Sequence, residues 1–401
     1  MYLIDAHQDL AWNALTFGRD YTRSVAETRQ IEKQTGSLAP ERNGDTTLGW
    51  PEYQGGNVAV VFSTLYVAPA KQKVGDWDTE FYRDYNEAHT RYMTQVDFYH
   101  RLTDDHPDKF RLILTQSDLK DVLAPWQSTQ YAIRNTEYEP ANQQASQRVS
   151  ESASQQITIN NQQLIINNTP PPTGLVTLME GAEGVREPAE LEEWWARGVR
   201  LIGLAWAGTR FCGGTREPGP LTSDGYALLD GMASFGFTLD LSHMDAEAAL
   251  QALDYFPGTI IASHANAAAL LKDFPTNRHL PDPVIRGLIE REGVIGIVPA
   301  NGFLKVGWRR ASGSRKEEVT LQHVIAHIDY ICQLAGDAQH VGIGSDFEGG
   351  FGLQSVPAEI DTIADLQKLA PLLSEKGYSD SDIANIFGLN WQRILEKTLP
   401  L

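Results

Sequence analysis

Eight short apolar runs, rich in β-forming residues and separated by longer stretches of helical character, constrain this chain more than any other feature. They are Tyr2–Ala6, Asn57–Tyr66, Gly174–Met179, Val199–Ala205, Phe237–Ser242, Thr259–Ser263, Val294–Pro299 and Val341–Ser345. Their hydrophobicity is continuous rather than alternating, as strands covered on both faces require. Strands of this kind alternating with helices predict βα units and a parallel sheet, and eight units close an α/β (β/α)8 TIM barrel. Two of the intervening stretches, Ala246–Tyr255 and Asp282–Glu292, carry apolar residues at roughly i, i+3, i+4 spacing. The second opens on Pro-Asp-Pro, a helix-start signal.

A barrel of this type accommodates all 401 residues as one domain, so the expected organisation is a single catalytic domain over 1–401. One region departs from a minimal barrel. Residues from Trp126 to Pro172 are crowded with Gln, Asn, Ser and Thr and close on a triple proline, which marks an insertion between the second and third units. Its middle, 156–168, reads equally well as a small hairpin or as a loose polar loop.

Functional groups of such barrels stand at the C-terminal ends of the strands, where the following loops converge on one mouth. The first run is followed by His7 and Asp9, the third by Glu180, the fifth by His243, the sixth by His264 and the eighth by Asp346. Each is unremarkable alone; a strand-terminal His is more often a hydrogen-bonded core residue than a ligand. Six groups at five strand ends make a constellation. His7 and Asp9, two apart in extended backbone, point to the same side and can grip one ion. His243 and His264 each follow a serine at the end of consecutive runs, positions from which they can share a second ion. Glu180 has two carboxylate oxygens and is the natural bridge. Two divalent ions ~3.5–4 Å apart would acidify a bridging water and polarise a carbonyl, with Asp346 placed as proton acceptor and donor.

The bulk properties agree with a small-molecule enzyme. With 33 Lys+Arg against 52 Asp+Glu the net charge is −19, a field that repels nucleic-acid backbones and anionic membranes. Two cysteines, Cys212 and Cys332, offer neither a disulfide framework nor a thiolate zinc site. No basic leader or long apolar run is visible, so the expected location is the cytoplasm. Oligomeric state is left open, a homodimer being compatible.

Taken together, His-x-Asp (His7, Asp9), Glu180-Gly, Gly198–Arg200, Asp240–His243 (DLSH), Ser263-His264 and Val341–Phe347 (VGIGSDF) closely resemble the membrane (renal) dipeptidase family of the amidohydrolase superfamily. The resemblance implies a barrel with two zinc ions per chain and hydrolysis of dipeptides, with tolerance of D-configured C-terminal residues. It implies that His7 and Asp9 bind one zinc, that Glu180 bridges, that His243 and His264 bind the other, and that Asp346 is the acid/base. Many other amidohydrolases bridge their metals through a carboxylated lysine on the fourth strand, and here that strand holds none.

Two positions depart from the family pattern. A histidine expected after the fourth strand is replaced by Trp206, whose indole donates one hydrogen bond and accepts none. An arginine expected shortly after Ser263-His264 is replaced by Ala268, leaving Arg278 and His279 as substitutes for a substrate-carboxylate clamp, unless they belong to a solvated helix-entry loop. These departures leave open an alternative substrate class, namely an N-acyl amino acid, a lactone or another small amide. A non-enzymatic scaffold would be expected to have lost a ligand, and all five are present.

Overall fold

The computed structural model describes residues 1–127 and 170–401; the body of the polar insertion, with the segment 156–168, lies outside them. Eight parallel strands form a barrel: β1 (Leu3–Gln8), β2 (Val58–Tyr66), β3 (Thr173–Glu180), β4 (Val199–Gly203), β5 (Thr238–Asp240), β6 (Ile260–Ile261), β7 (Ile295–Ile297) and β8 (Val341–Ile343). Each coincides with one of the eight runs. Neighbours pair in chain order, and β1 pairs with β8 through Asp5 and Ile343. The ring closes between β6 and β7 at the bridge from Ala262 to Ile295. All eight strands are buried almost throughout, which is why their sequences run apolar without alternation.

Closure is tight. A side chain at Gly296 or Gly344 would come within 1.9 or 1.8 Å of the Ser263 carbonyl oxygen, so only glycine lets these backbones approach beside β6. The helices form for local reasons the sequence displays. Ala246–Tyr255 is capped by Asp245, which accepts from the Glu247 amide at 3.2 Å, and it buries Ala248, Ala249, Ala252 and Leu253. The helix expected over Asp282–Glu292 ends at Glu290 and buries Val284, Ile285 and Leu288.

Several short elements were not expected. Phe110–Leu112 pairs with the first residues of β3. Ala68–Pro69 pairs with Phe81–Tyr82, and Cys212–Gly214 with Glu217–Leu221, making two small sheets on excursions after β2 and β4. Trp126, read as the start of the insertion, is instead a buried residue of the helix Gln116–Gln127. No helix among the described residues is long and apolar enough to cross a membrane.

Candidate metal centre

The six strand-end groups converge at one mouth of the barrel, all of them buried. Glu180, the last residue of β3, sits at the centre. Its Oε1 lies 3.0 Å from His243 Nε2 and 3.2 Å from His264 Nε2, while its Oε2 faces His7 Nε2 at 3.7 Å. His7 Nε2 is also 3.7 Å from Asp9 Oδ2 and 3.8 Å from Asp346 Oδ1. Two groups of ligand atoms result, His7–Glu180–His264 and His7–Asp9–Asp346.

Backbone geometry aims these side chains. Asp9 occupies the N-cap of the helix Leu10–Phe17 yet makes no capping bond; its carboxylate is turned into the mouth and takes a hydrogen bond from the Thr64 hydroxyl instead. Declining the cap forgoes about 1 kcal/mol of helix stability. His243 and Asp346 hold φ of 68° and 56°, a left-handed conformation that costs a non-glycine residue on the order of 1 kcal/mol and that concentrates at functional sites.

A buried hydrogen-bond layer holds the ligands from behind. Asp240 accepts from the Ser242 amide at 3.0 Å, the Ser263 amide at 2.8 Å and the Ser263 hydroxyl. The Ser263 hydroxyl contacts His264 Nδ1 at 2.8 Å, and the Thr215 hydroxyl contacts His243 Nδ1 at 2.9 Å. Both imidazoles thereby turn Nε2 to the centre, the arrangement that fixes a metal-binding histidine in place. On the opposite side Asp5 accepts from the Ser345 amide at 2.7 Å and from the Gln8 side chain at 2.5 Å, tying the end of β1, which carries His7, to the loop that carries Asp346.

The electrostatics suit cations. Burial opposes charge on His7, but the carboxylates of Glu180 and Asp9 outweigh it and hold the imidazole well above its ordinary pKa. Burial alone would raise Glu180, yet His7 and His243 hold it well below the carboxylate range. His243 is pushed down to about 4 by burial and by the positive charge of Arg278. Burial lifts Asp346 well above its usual value, with Asp9 and Glu180 adding to the rise against His7 and Arg278.

These residues fit bound divalent metal on two observations. His7 Nε2 is buried without a hydrogen-bond partner among the described residues and is aimed at three carboxylates. The donor set is three imidazoles and three carboxylates, the chemistry that borderline divalent ions prefer. The field that draws a proton to His7 would equally draw a divalent cation.

The centre opens into a cavity of about 860 Å³. Trp206, half-buried, lines it with its ring 5.9 Å from that of His243 and 5.2 Å from that of Tyr66. Arg278 is only 3% exposed, so the solvated-loop alternative is wrong for it. Its Nη2 donates to the His264 carbonyl at 2.9 Å, while Nε and Nη1 have no partner among the described residues. His279 is packed between Phe274 and Phe303, ring centroids 4.2 and 5.3 Å away, and is not part of the cavity wall.

The family model described as Membrane dipeptidase (Peptidase family M19) matches residues 142–399. The chain belongs to the membrane dipeptidase family. Among relatives of this family member, the "Uncharacterized protein in pqqA 5′region" of Klebsiella pneumoniae is 32% identical over 232 residues, covering 55% of this chain and 81% of that one. An uncharacterized dipeptidase of Schizosaccharomyces pombe is 28% identical, covering 56% of this chain and 54% of its own length. The dipeptidase VerJ of Clonostachys rogersoniana is 27% identical with 56% of each covered, so the chain matches just over half the length of these fungal relatives. Solved structures share the dipeptidase-family fold end to end. A Rhodobacter sphaeroides metallopeptidase bound to a phosphinate mimic of L-Ala-D-Ala superposes with a TM-score of 0.69 at 20% identity, covering 99% of both chains. The probable dipeptidase PvdM of Pseudomonas aeruginosa gives 0.71 at 17%, covering 99% of this chain and 95% of that one.

Proposed function

We propose that this chain is a zinc dipeptidase whose single barrel domain, 1–401, cleaves the amide bond of dipeptides. The observation that carries the reading is Glu180, whose two oxygens face opposite ways, one towards His243 and His264 and the other towards His7. His7 and Asp9 would hold one zinc, His243 and His264 the other, and Glu180 would bridge. When bound, the pair supplies an acidified water and a polarised scissile carbonyl.

The remaining steps belong to the chain's own residues. Asp346, which faces His7 across 3.8 Å, takes the proton of the attacking water and delivers it to the leaving amine. Arg278 offers two guanidinium nitrogens, unpaired among the described residues, to the substrate's carboxylate, a charge-assisted pairing strengthened by burial. Trp206, standing where the family resemblance implies a histidine, supplies an apolar wall and at most one donor. The case for an N-acyl amino acid or lactone substrate drew on the loss of a cationic clamp at Ala268, and Arg278 in the cavity wall weakens it. A carboxylate-bearing dipeptide fits better.

Elemental analysis of chelator-free protein is expected to give two zinc per chain, with turnover of both L-L and L-D dipeptides. Two zinc without dipeptide turnover, but with cleavage of an N-acyl amino acid or a lactone, would reassign the substrate. Absence of bound metal would overturn the centre itself. Replacing Arg278 with methionine is expected to raise KM for dipeptides roughly 10- to 100-fold, the worth of a charge-assisted hydrogen bond, with a smaller change in kcat. An unchanged KM would remove Arg278 from substrate binding.

A further inference from the structure

The aromatic side of the cavity continues beyond Trp206. Tyr66 is the register partner of Glu180 on the adjacent strand, so its ring stands beside the metal centre. Trp12, three residues after Asp9 on the same helix, lies 6.3 Å from Tyr66 and 6.2 Å from Trp77, ring centre to ring centre. Trp77 in turn stacks on Phe17 at 5.5 Å with planes 20° apart. A contiguous wall of rings therefore runs from the metal centre to the excursion that joins β2 to the helix Tyr85–Asp105.

That excursion is built in rather than draped over the surface. Its base is the pairing of Ala68–Pro69 with Phe81–Tyr82. One flank is tied by Glu80 to Arg91 at 2.9 Å, the other by Lys71 and Gln72 to Glu217 at 2.5 and 3.1 Å. Next to Trp77 it presents Asp78, which is 2% exposed and lines the same cavity. Asp78 Oδ2 accepts from the Val74 amide at 3.3 Å and the Glu80 amide also lies against the carboxylate, while Oδ1 is buried with no hydrogen bond of normal geometry among the described residues. Lys73, whose charge reaches Asp78, is engaged elsewhere: it pairs with Asp76 at 3.8 Å and lies over the Phe81 ring at 4.4 Å.

An unpaired buried carboxylate oxygen is costly unless something occupies it. One wall of the cavity thus offers guanidinium nitrogens at Arg278 unpaired among the described residues and another an acceptor at Asp78 Oδ1, with Asp9, Glu180 and His243 in the same cavity. A dipeptide is a zwitterion carrying a carboxylate at one end and an ammonium at the other. We infer that Asp78 receives the substrate's α-ammonium group and that Trp12, Tyr66 and Trp77 receive a bulky apolar side chain on its first residue. The inference rests on the dipeptidase reading and narrows it to free-amine dipeptides with a large apolar N-terminal residue. Aromatic faces beside Asp78 add to this, since they attract both apolar groups and cations.

The test compares L-Phe-L-Ala with 3-phenylpropionyl-L-Ala, which lacks only the amine, and with Gly-L-Ala, which lacks the side chain. The zinc-loaded protein is expected to prefer the free amine by roughly 10- to 100-fold in kcat/KM. In Asp78→Asn that preference is expected to collapse through KM, with the rate on the amine-free analogue unchanged. Trp77→Ala, an independent variant, is expected to lose preference for L-Phe-L-Ala over Gly-L-Ala and keep its preference for the amine. Dipeptide turnover with an amine preference that Asp78→Asn leaves intact would overturn this inference alone. Zinc-loaded protein that turns over no dipeptide would overturn the dipeptidase reading, and this inference with it.

Discussion

Replacing Glu180 with glutamine is expected to abolish dipeptide hydrolysis, by at least about 10³-fold, and to strip the centre of metal. The amide has the same shape, so packing in the mouth survives, but one of the two oxygens proposed to coordinate becomes a nitrogen that cannot ligate. The anionic charge that the two proposed metal positions would share is lost as well. Supporting charge at two metals is worth several kcal/mol, and each 1.36 kcal/mol is tenfold in rate. Elemental analysis and kcat/KM on the same sample check it. Retention of two zinc ions and of activity in Glu180→Gln would place the bridge elsewhere.

Replacing Asp346 with asparagine should produce a different failure. Proton transfer by a positioned side chain contributes typically 10²–10⁴-fold, and kcat is expected to fall by about that amount while zinc content and KM stay near their starting values. The loss should shrink for an activated ester, whose leaving group needs no proton. An equal loss on both substrates with metal intact would make Asp346 structural. Its φ of 56° and its contact with the tight turn at Gly349, where any added side chain would meet Asp346 Oδ1 at 2.1 Å, show how closely the loop confines that carboxylate.

The barrel and the cluster of strand-end groups at its mouth were legible because both are written locally. A strand buried on two faces must be apolar throughout, and a His or carboxylate immediately after such a run has one place to go. The residues that shape the cavity were harder to read. Arg278 lies far enough past His264 that no periodicity links them, and what ties it back to that strand end is its bond to the His264 carbonyl. The stretch around Asp78 carries no strand or helix pattern in the sequence, and only the small sheet at its base and its place in the cavity wall single it out. Trp12 and Tyr66 look like ordinary core aromatics, and only their adjacency to Asp9 and Glu180 separates them from the rest. Phe110–Leu112 was missed because three residues between helices carry too little pattern to declare a strand.

The pairing of β1 with β8 has a bearing on biosynthesis. Asp5 and Ile343 are partners, and the Ser345 amide donates to Asp5, so the first strand waits for almost the whole chain to emerge before it has a neighbour on that side. His7 and Asp9 are made first, yet Asp346 joins them last. Contacts so distant along the chain are slow to form and leave unpaired strand edges exposed meanwhile. The five proposed zinc ligands are all made before the eighth strand, and only Asp346 follows it, so a chain released before that point would lack the proposed proton carrier and the neighbour that covers the open edge of the first strand.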